Sequence, residues 1–297
     1  MSIPNIICKR FLLFLFLLYS FAAYAQNNFI DSLKQALQTQ KDDTNKVDIY
    51  ADLAWRYQWD YPDTAISYAT KGLSLARELN FRRGEIQLLN RMGEALAQKG
   101  NYPKALEAQL KALQLSEKLG DSLLIGYSES FTANVYFYSG NYGKALSYFR
   151  KQLKHNDGYR FPIWLVFGHL GETYYKLKME DSANLYLSKS LQLNINWVVP
   201  YFYLAALNFD RKNYTAALRY YQSGVGVADR NVDKSEGYIG LAKTFRELHQ
   251  PDSAIRYAKQ SISSSKNATL YSKLEEAAEI LADIYKTEGN LDSAYQY

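Results

Sequence analysis

The residue types that most often hold metals or move protons are scarce in this 297-residue chain: three histidines, His155, His169 and His249, and one cysteine, Cys8. Imidazole and thiolate ligands work in sets at fixed spacing, such as Cys-x2-Cys or His-x3-His. Each histidine here stands apart from the others and from any such pair, so no metal ligand and no catalytic residue is assigned. Gly224-Val225-Gly226 lacks the third glycine and the preceding strand of a dinucleotide-binding turn. Gly140 to Lys144 has the wrong spacing for a phosphate loop and no Ser or Thr after the lysine, and the same Gly-Asn-Tyr text recurs at Gly100. Glu275, Glu276 and Glu279 read as a solvated helix face rather than a general acid and base pair. No serine nucleophile elbow is present. Lys144, Arg150, Lys151 and Lys154 concentrate on one presumed helix and read as an outward face. With 35 basic and 30 acidic residues the charge of +5 is too balanced for a nucleic-acid footprint. The expectation is a protein without a cofactor that is not an enzyme.

What then must the chain position? Its composition, 47% apolar and 22% charged, is that of a globular protein, and 27 tyrosines give it rings with polar tips suited to half-buried contact surfaces. The first 25 residues stand apart. Lys9 and Arg10 precede an apolar run from Phe11 to Phe21, and Ala23-Tyr24-Ala25 supplies small residues where a signal peptidase cuts. The run is shorter than the roughly 17 to 25 residues a membrane anchor needs. Residues 1–25 are therefore expected to be a cleaved secretory signal, with the mature chain starting at Gln26 and exported to the periplasm or cell envelope. Cys8 lies before the apolar run and leaves with the signal, so the mature chain has no thiol for a disulfide or a thiolate catalyst. Losing Lys9 and Arg10 leaves 33 basic residues against 30 acidic. No later apolar stretch reaches the roughly 18 residues of a membrane span.

Self-similarity dominates the remainder. One alanine recurs at Ala65, Ala105, Ala145, Ala183, Ala217, Ala254 and Ala294, at intervals of 40, 40, 38, 34, 37 and 40 residues. About twelve residues before each lies a second small residue: Ala54, Gly93, Ala133, Gly171, Ala205, Ala242 and Ala282. An aromatic or Leu three positions on usually follows: Tyr57, Leu96, Tyr136, Tyr174, Phe245 and Tyr285. Small residues at these sites let two helices cross closely while the ring fills the gap between neighbouring units. Gly100, Gly140 and Gly289 fit a left-handed helix stop, and Asn101, Asn141, Asp181 and Asp252 can cap the helix that follows. Pro62, Pro103 and Pro251 fall in the turn between the two helices, and Pro162 and Pro200 at the start of a first helix, so none breaks a helix interior.

These residues resemble the tetratricopeptide repeat over about Lys46 to Tyr297. The tryptophan expected early in the first helix is replaced by Tyr50, Leu89, Glu129, Phe167, Tyr201, Tyr238 and Ala278. The fold implied is all-α, a right-handed α-solenoid of about seven antiparallel helix pairs with the last truncated. The layout is a capping helix from Phe29 to Leu37 and a linker within 26–45, then units near 47–80, 86–119, 126–159, 164–197, 198–231, 235–268 and 275–297. In this family the concave wall comes from the first, or A, helices. Carrying those positions over gives Trp55, Trp59, Asn90, Arg91 and Glu94, then Phe131, Asn134, Phe137 and Tyr138, then His169, Glu172, Tyr175, Phe202, Tyr203 and Phe209. The wall ends charged with Lys243, Arg246, Asp283 and Lys286.

The implied function is non-catalytic recognition of a protein or peptide, with no nucleic acid. The lysine and asparagine clamp that holds C-terminal carboxylates in some relatives is missing. The segment DDTNKVDIYADLAWRYQW, together with the signal, also resembles the exported repeat arrays that open membrane sensor histidine kinases and related regulators. Only Asp292 to Tyr297 remain for the last B helix, which would leave Leu281 and Tyr285 uncovered, so a membrane span and output module are expected beyond residue 297. A self-standing periplasmic adaptor is the alternative, and an enzyme with an unrecognised site a further one.

Overall fold

A computed structural model describes residues 29–59, 61–155, 162–268 and 271–296, with the side chains of 266–268 and 271 left aside. The signal segment and the expected cleavage point at Gln26 lie outside the described residues. The described chain is helical throughout. Helix α1 covers residues 29–39, and fourteen more follow. In chain order they are α2 (Thr44–Tyr57), α3 (Pro62–Glu78), α4 (Arg82–Gln98), α5 (Tyr102–Leu119), α6 (Ser122–Tyr138), α7 (Tyr142–His155) and α8 (Ile163–Lys176). The rest are α9 (Glu180–Leu193), α10 (Val198–Asp210), α11 (Tyr214–Val227), α12 (Asn231–Glu247), α13 (Pro251–Ala268), α14 (Tyr271–Thr287) and α15 (Leu291–Ala294). They group into two compact units, Met1–Asn141 and Tyr142–Tyr297.

The first unit packs α2 on α3, α3 on α4, α4 on α5 and α5 on α6, and the A helices α2, α4 and α6 also touch in sequence. Its core is aliphatic: Val47, Ala51 and Ala54 meet Ala69, Leu73, Ile86, Leu88, Ala112 and Leu124. The second unit repeats the arrangement from α7 to α15, with a core around Ile239, Ala242, Ala254, Ala258, Ala277, Ile280 and Leu281. Small residues set how closely these helices approach. Ala54, Ala65, Ala105, Ala133, Ala145, Ala183, Ala205, Ala217, Ala242 and Ala254 are all fully buried. A Cβ on Gly171 would sit 2.9 Å from the backbone nitrogen of Leu187 on α9, and one on Gly93 would collide with the side chain of Gln109 on α5. Ala282 and Ala294 depart from the pattern and are only half-buried, because α15 runs for four residues and covers little of α14.

The turns explain why each helix stops. Gly100, Gly140 and Gly289 take φ of 73°, 78° and 76°. Around Gly100 the next amide, Asn101 N, donates to Leu96 O at 2.9 Å while Gly100 N donates to Ala97 O at 2.9 Å, which satisfies two orphan carbonyls. Lys178, Lys212 and His249 make the same pair of bonds at φ of 60°, 59° and 55°, so side-chain-bearing residues stand where glycine is favoured. Asn101, Asn213 and Asn290 cap the following helices by accepting a backbone N–H. Asp181 does not cap α9, whose N-cap is Met179, and Asp252 lies inside the first turn of α13. There the carboxylates act through the helix dipole, not through a capping hydrogen bond.

Candidate functional site

In the first unit a layer of rings and guanidinium groups runs across three consecutive A helices. Trp55 lies on α2, Arg91 and Glu94 on α4, and Phe131 on α6. The periodicity that buries Leu53, Ala54, Leu88 and Leu89 turns these neighbours outward, since residues one or two positions apart on a helix face different ways. The Arg91 guanidinium carbon is 5.9 Å from the Trp55 ring centroid and 5.5 Å from that of Phe131, so one cation serves two rings. Its Nη1 lies 3.2 Å from Glu94 Oε2. The Gln58 amide, oriented by its partners, donates to Glu94 Oε2 at 2.9 Å and accepts from Trp59 Nε1 at 3.0 Å. Trp55, Trp59 and Tyr138 stay 45%, 47% and 45% exposed, which leaves large ring surface for a partner. Phe137 meets Tyr138 edge-on at 5.9 Å, and Asn134 is half-buried on the same helix. Beside Arg91 is a cavity of about 250 Å³ lined by Arg83, Gln87, Asn90, Leu123, Leu124, Tyr127 and Phe131. Two guanidinium groups and no carboxylate line it.

Asn90 is not a surface residue. It is 3% exposed, its Nδ2 donates to Ser128 Oγ at 3.3 Å, and Gln109 Nε2 donates to its carbonyl at 2.9 Å. It ties α4 to α5 and α6 inside the core, while its Oδ1 and the Gln109 Oε1 are buried there without a hydrogen-bond partner among the described residues.

In the second unit the corresponding faces of α8, α10 and α12 enclose a cavity of about 430 Å³. Tyr175, Lys176, Phe202, Tyr203, Tyr221, Asp233 and Glu236 line it, over a floor of Val198, Val199, Ala206 and Val232. Tyr175 and Tyr203 pack edge to face at 5.4 Å, and the Tyr175 hydroxyl donates to Asp210 Oδ2 at 2.8 Å. Burial, then the Asp210 carboxylate, pushes the Tyr175 hydroxyl well above the usual phenol range; burial and Glu236 do the same to Tyr221. Phe202 is only half-buried, and its ring occupies space opened by Gly224 and Gly237, so much of it is helix packing. Gly224 and Gly226 are helical, within α11.

His169 is likewise held inside the fold. It stacks on Phe149 at 5.2 Å, meets Trp197 edge-on at 5.6 Å, and its Nδ1 lies 3.0 Å from Glu172 Oε2. The charged end of the face is paired within the chain, which the linear pattern did not show. Lys243 Nζ lies 2.6 Å from Glu276 Oε1, Lys273 bridges Glu236 and Glu276, and Arg246 Nη1 lies 3.0 Å from Asp283 Oδ2. Burial pushes Glu276 up, but Lys243 and Lys273 outweigh it and hold the carboxyl below its ordinary value. Glu276 is therefore not part of a simply solvated acidic face.

A third arrangement was hidden in the sequence because its members lie on different helices. Tyr57 stacks on Tyr68 at 5.9 Å, Tyr174 on Tyr186 at 5.4 Å and Phe245 on Tyr257 at 5.4 Å. In each case a second ring on the A helix, Tyr50, Phe167 or Tyr238, leans on the same tyrosine. The signal that could have found it is a tyrosine three residues after the recurring alanine of the B helix. Two cations edge the fourth-repeat stack: Arg150 Nη2 donates to the Tyr174 hydroxyl at 2.6 Å, and Lys189 Nζ lies 5.7 Å and 5.6 Å from the Phe167 and Tyr186 ring centroids. Arg150 is thus engaged, not only solvated.

Among the described residues no group of His, Cys, Asp and Glu could hold a metal ion, and no helix is long and apolar enough to cross a membrane. Residues 84–155 match the family model for the tetratricopeptide repeat. No curated protein matches the chain. Among solved structures it is similar to the apo form of the quorum sensor NprR from B. thuringiensis, with a TM-score of 0.69 and 17% identity over 95% of this chain and 82% of that one. It is also similar to a Rap protein complexed with competence and sporulation factor, with a TM-score of 0.64 and 18% identity over 84% and 73%. A further likeness is to BtubC from P. vanneervenii, with a TM-score of 0.58 and 15% identity over 69% and 91%. At such identities the likeness is one of fold: helix hairpins stacked in sequence.

Proposed function

The chain is a tetratricopeptide-repeat protein, and from that premise we propose that it is a non-catalytic scaffold binding a protein or peptide segment on the exposed faces of its A helices. The observation that carries this reading is Arg91 set between Trp55 and Phe131, with Trp55, Trp59 and Tyr138 left close to half exposed. Aromatic and arginine side chains concentrate binding energy because they give large contact area at low entropy cost. A soluble repeat that exposed such rings with no use for them would carry a needless aggregation liability. The adjoining cavity is edged by Arg83 and Arg91, whose guanidinium groups also face Asp121 and Glu94, and it favours a segment with a polar group beside an apolar or aromatic residue. In the second unit, Tyr175, Tyr203 and the 430 Å³ cavity offer an apolar and hydrogen-bonding complement.

We further propose that the protein is exported and serves as the sensory part of a signalling protein. Support comes from the charged, apolar and small-residue order of residues 1–25 and from the resemblance of the opening repeat to exported sensor arrays. Two of the structural neighbours bear the names of a quorum sensor and of a protein held with a competence and sporulation factor.

A peptide array scanned with the purified chain, followed by titration of retained peptides against Trp55→Ala, Arg91→Ala and Phe131→Ala, tests the binding face. Each central truncation is expected to weaken binding by about 2 kcal/mol while helicity is kept. Undiminished affinity in the triple variant would remove the A-helix face as the site. Export is tested separately by N-terminal sequencing of the envelope fraction. Gln26 as first residue is expected, and an uncleaved cytoplasmic chain would overturn export while leaving the scaffold reading in place.

A further inference from the structure

The second repeat is alone in having no aromatic residue at any of the three stacking positions. Where the first, fourth and sixth repeats carry Tyr50, Tyr57 and Tyr68, Phe167, Tyr174 and Tyr186, and Tyr238, Phe245 and Tyr257, the second carries Leu89, Leu96 and Ala108. The consequence is visible in the first unit as a groove of about 660 Å³ between α3, α4 and α5. Leu89, Leu96 and Ala108 all line it, with Leu73 and Met92 completing an apolar floor. Lys111 stands at its rim, at the position that Lys189 occupies in the fourth repeat, six residues after the recurring alanine. Lys189 lies over two rings; no ring lies beneath Lys111 among the described residues. The groove thus keeps the cation and lacks its aromatic complement.

We propose that this groove is a binding site for an aromatic side chain, tyrosine or tryptophan, presented by a partner protein. Three stacks within the same chain show that rings suit this inter-helix space, and in the fourth repeat the lysine at the rim, Lys189, complements the negative ring face. Met92 adds a flexible thioether, a side chain that adapts to incoming rings. The site lies between B helices, on the side of α4 turned away from Arg91 and Glu94, so it goes beyond the reading above and does not depend on it.

The chain has three methionines, Met1, Met92 and Met179, which makes methyl-labelled methionine a direct probe. N-acetyltyrosinamide is titrated against the labelled protein, with Met179→Leu identifying that signal. The Met92 methyl is expected to move saturably through the ring current while Met179 does not, and N-acetyl-cyclohexylalaninamide is expected to bind more weakly. Lys111→Met is expected to weaken binding about two- to fivefold. Ala108→Tyr, which restores a ring from the protein's own side, is expected to abolish it, and Leu96→Phe serves if that variant loses helicity. No saturable Met92 shift would overturn the proposal, as would unchanged binding in the filled variant with its fold intact. Equal binding of the cyclohexyl probe would overturn its aromatic chemistry. A Met92 shift that grows with protein concentration alone would assign the groove to a second copy of this chain and overturn the partner assigned here.

Discussion

Glycine placement gives opposite signs of effect at two helical sites. Gly171→Ala puts a methyl 2.5 Å from Leu187 Cγ and 2.9 Å from its backbone nitrogen, and is expected to cost about 1 to 3 kcal/mol by overpacking. Gly126→Ala, in α6 with nothing within 4 Å of the new carbon, is expected to stabilise by about 0.5 to 1 kcal/mol through helix propensity. Urea midpoints of the two variants check both signs. His249→Gly, Lys178→Gly and Lys212→Gly relieve a left-handed backbone and should each stabilise by about 0.5 to 1 kcal/mol, whereas Gly100→Ala should destabilise by about 1 kcal/mol. Glu85 adds a pH dependence. Burial pushes its carboxyl up, but hydrogen bonds and charge from Arg77 and Arg82, at 2.9 and 2.8 Å, hold it below its ordinary value. A depressed carboxyl contributes stability above its unfolded pKa of about 4.3 and loses it as pH falls through the lower folded value. Glu85→Gln is therefore expected to cost about 1 kcal/mol at pH 7, and the gap to the parent should close as pH falls through the lowered folded value. A gap that stayed constant down to the acid limit would show that the charge is not the cause.

At the scale of the helix, stacked rings and buried hydroxyls join A to B. Tyr174 and Tyr186 lie 5.4 Å apart with planes 16° from parallel, a geometry worth about 0.5 to 1.5 kcal/mol beyond buried area. A double-mutant cycle with Tyr174→Leu and Tyr186→Leu is expected to return a coupling of that size, and additivity would refute the stack as an energetic unit. In the sixth repeat the joint is polar as well: Ser235 Oγ lies 2.8 Å from Ser261 Oγ and 2.7 Å from Ser265 Oγ, all fully buried. Such a network is stabilising only when complete, since a lone buried hydroxyl costs about 1 to 3 kcal/mol.

Within each unit, hairpins that touch their neighbours in sequence have stability that varies along the chain. The last hairpin is the weakest by construction: α15 has four residues, Leu291 and Tyr295 are 56% and 88% exposed, and Ala282 is half-buried. Amide exchange is expected to be fastest in α14 and α15 and slowest in α4 and α10, which touch an A helix on either side. Equal protection along the chain would mean that the array unfolds as one body.

The helix pairs, their stops and their crossing points were legible in the sequence because they depend on residues a few positions apart. Small side chains recur where helices meet, and glycine or asparagine recurs where they end, so the spacing of Ala65, Ala105 and Ala145 already carries the stacking. Which wall residues face outward was not legible. Asn90 and Arg91 are adjacent in sequence, yet one is locked to Ser128 in the core and the other lies between two rings at the surface, a difference fixed by the rotation of α4 against α5 and α6. The ion pairs Lys243 with Glu276 and Arg246 with Asp283, and the ring stacks that the second repeat lacks, join residues from 11 to 37 positions apart. Local periodicity fixes a helix and its ends; which side chains meet across two helices depends on how those helices are turned and set against each other, and that is decided only when they pack.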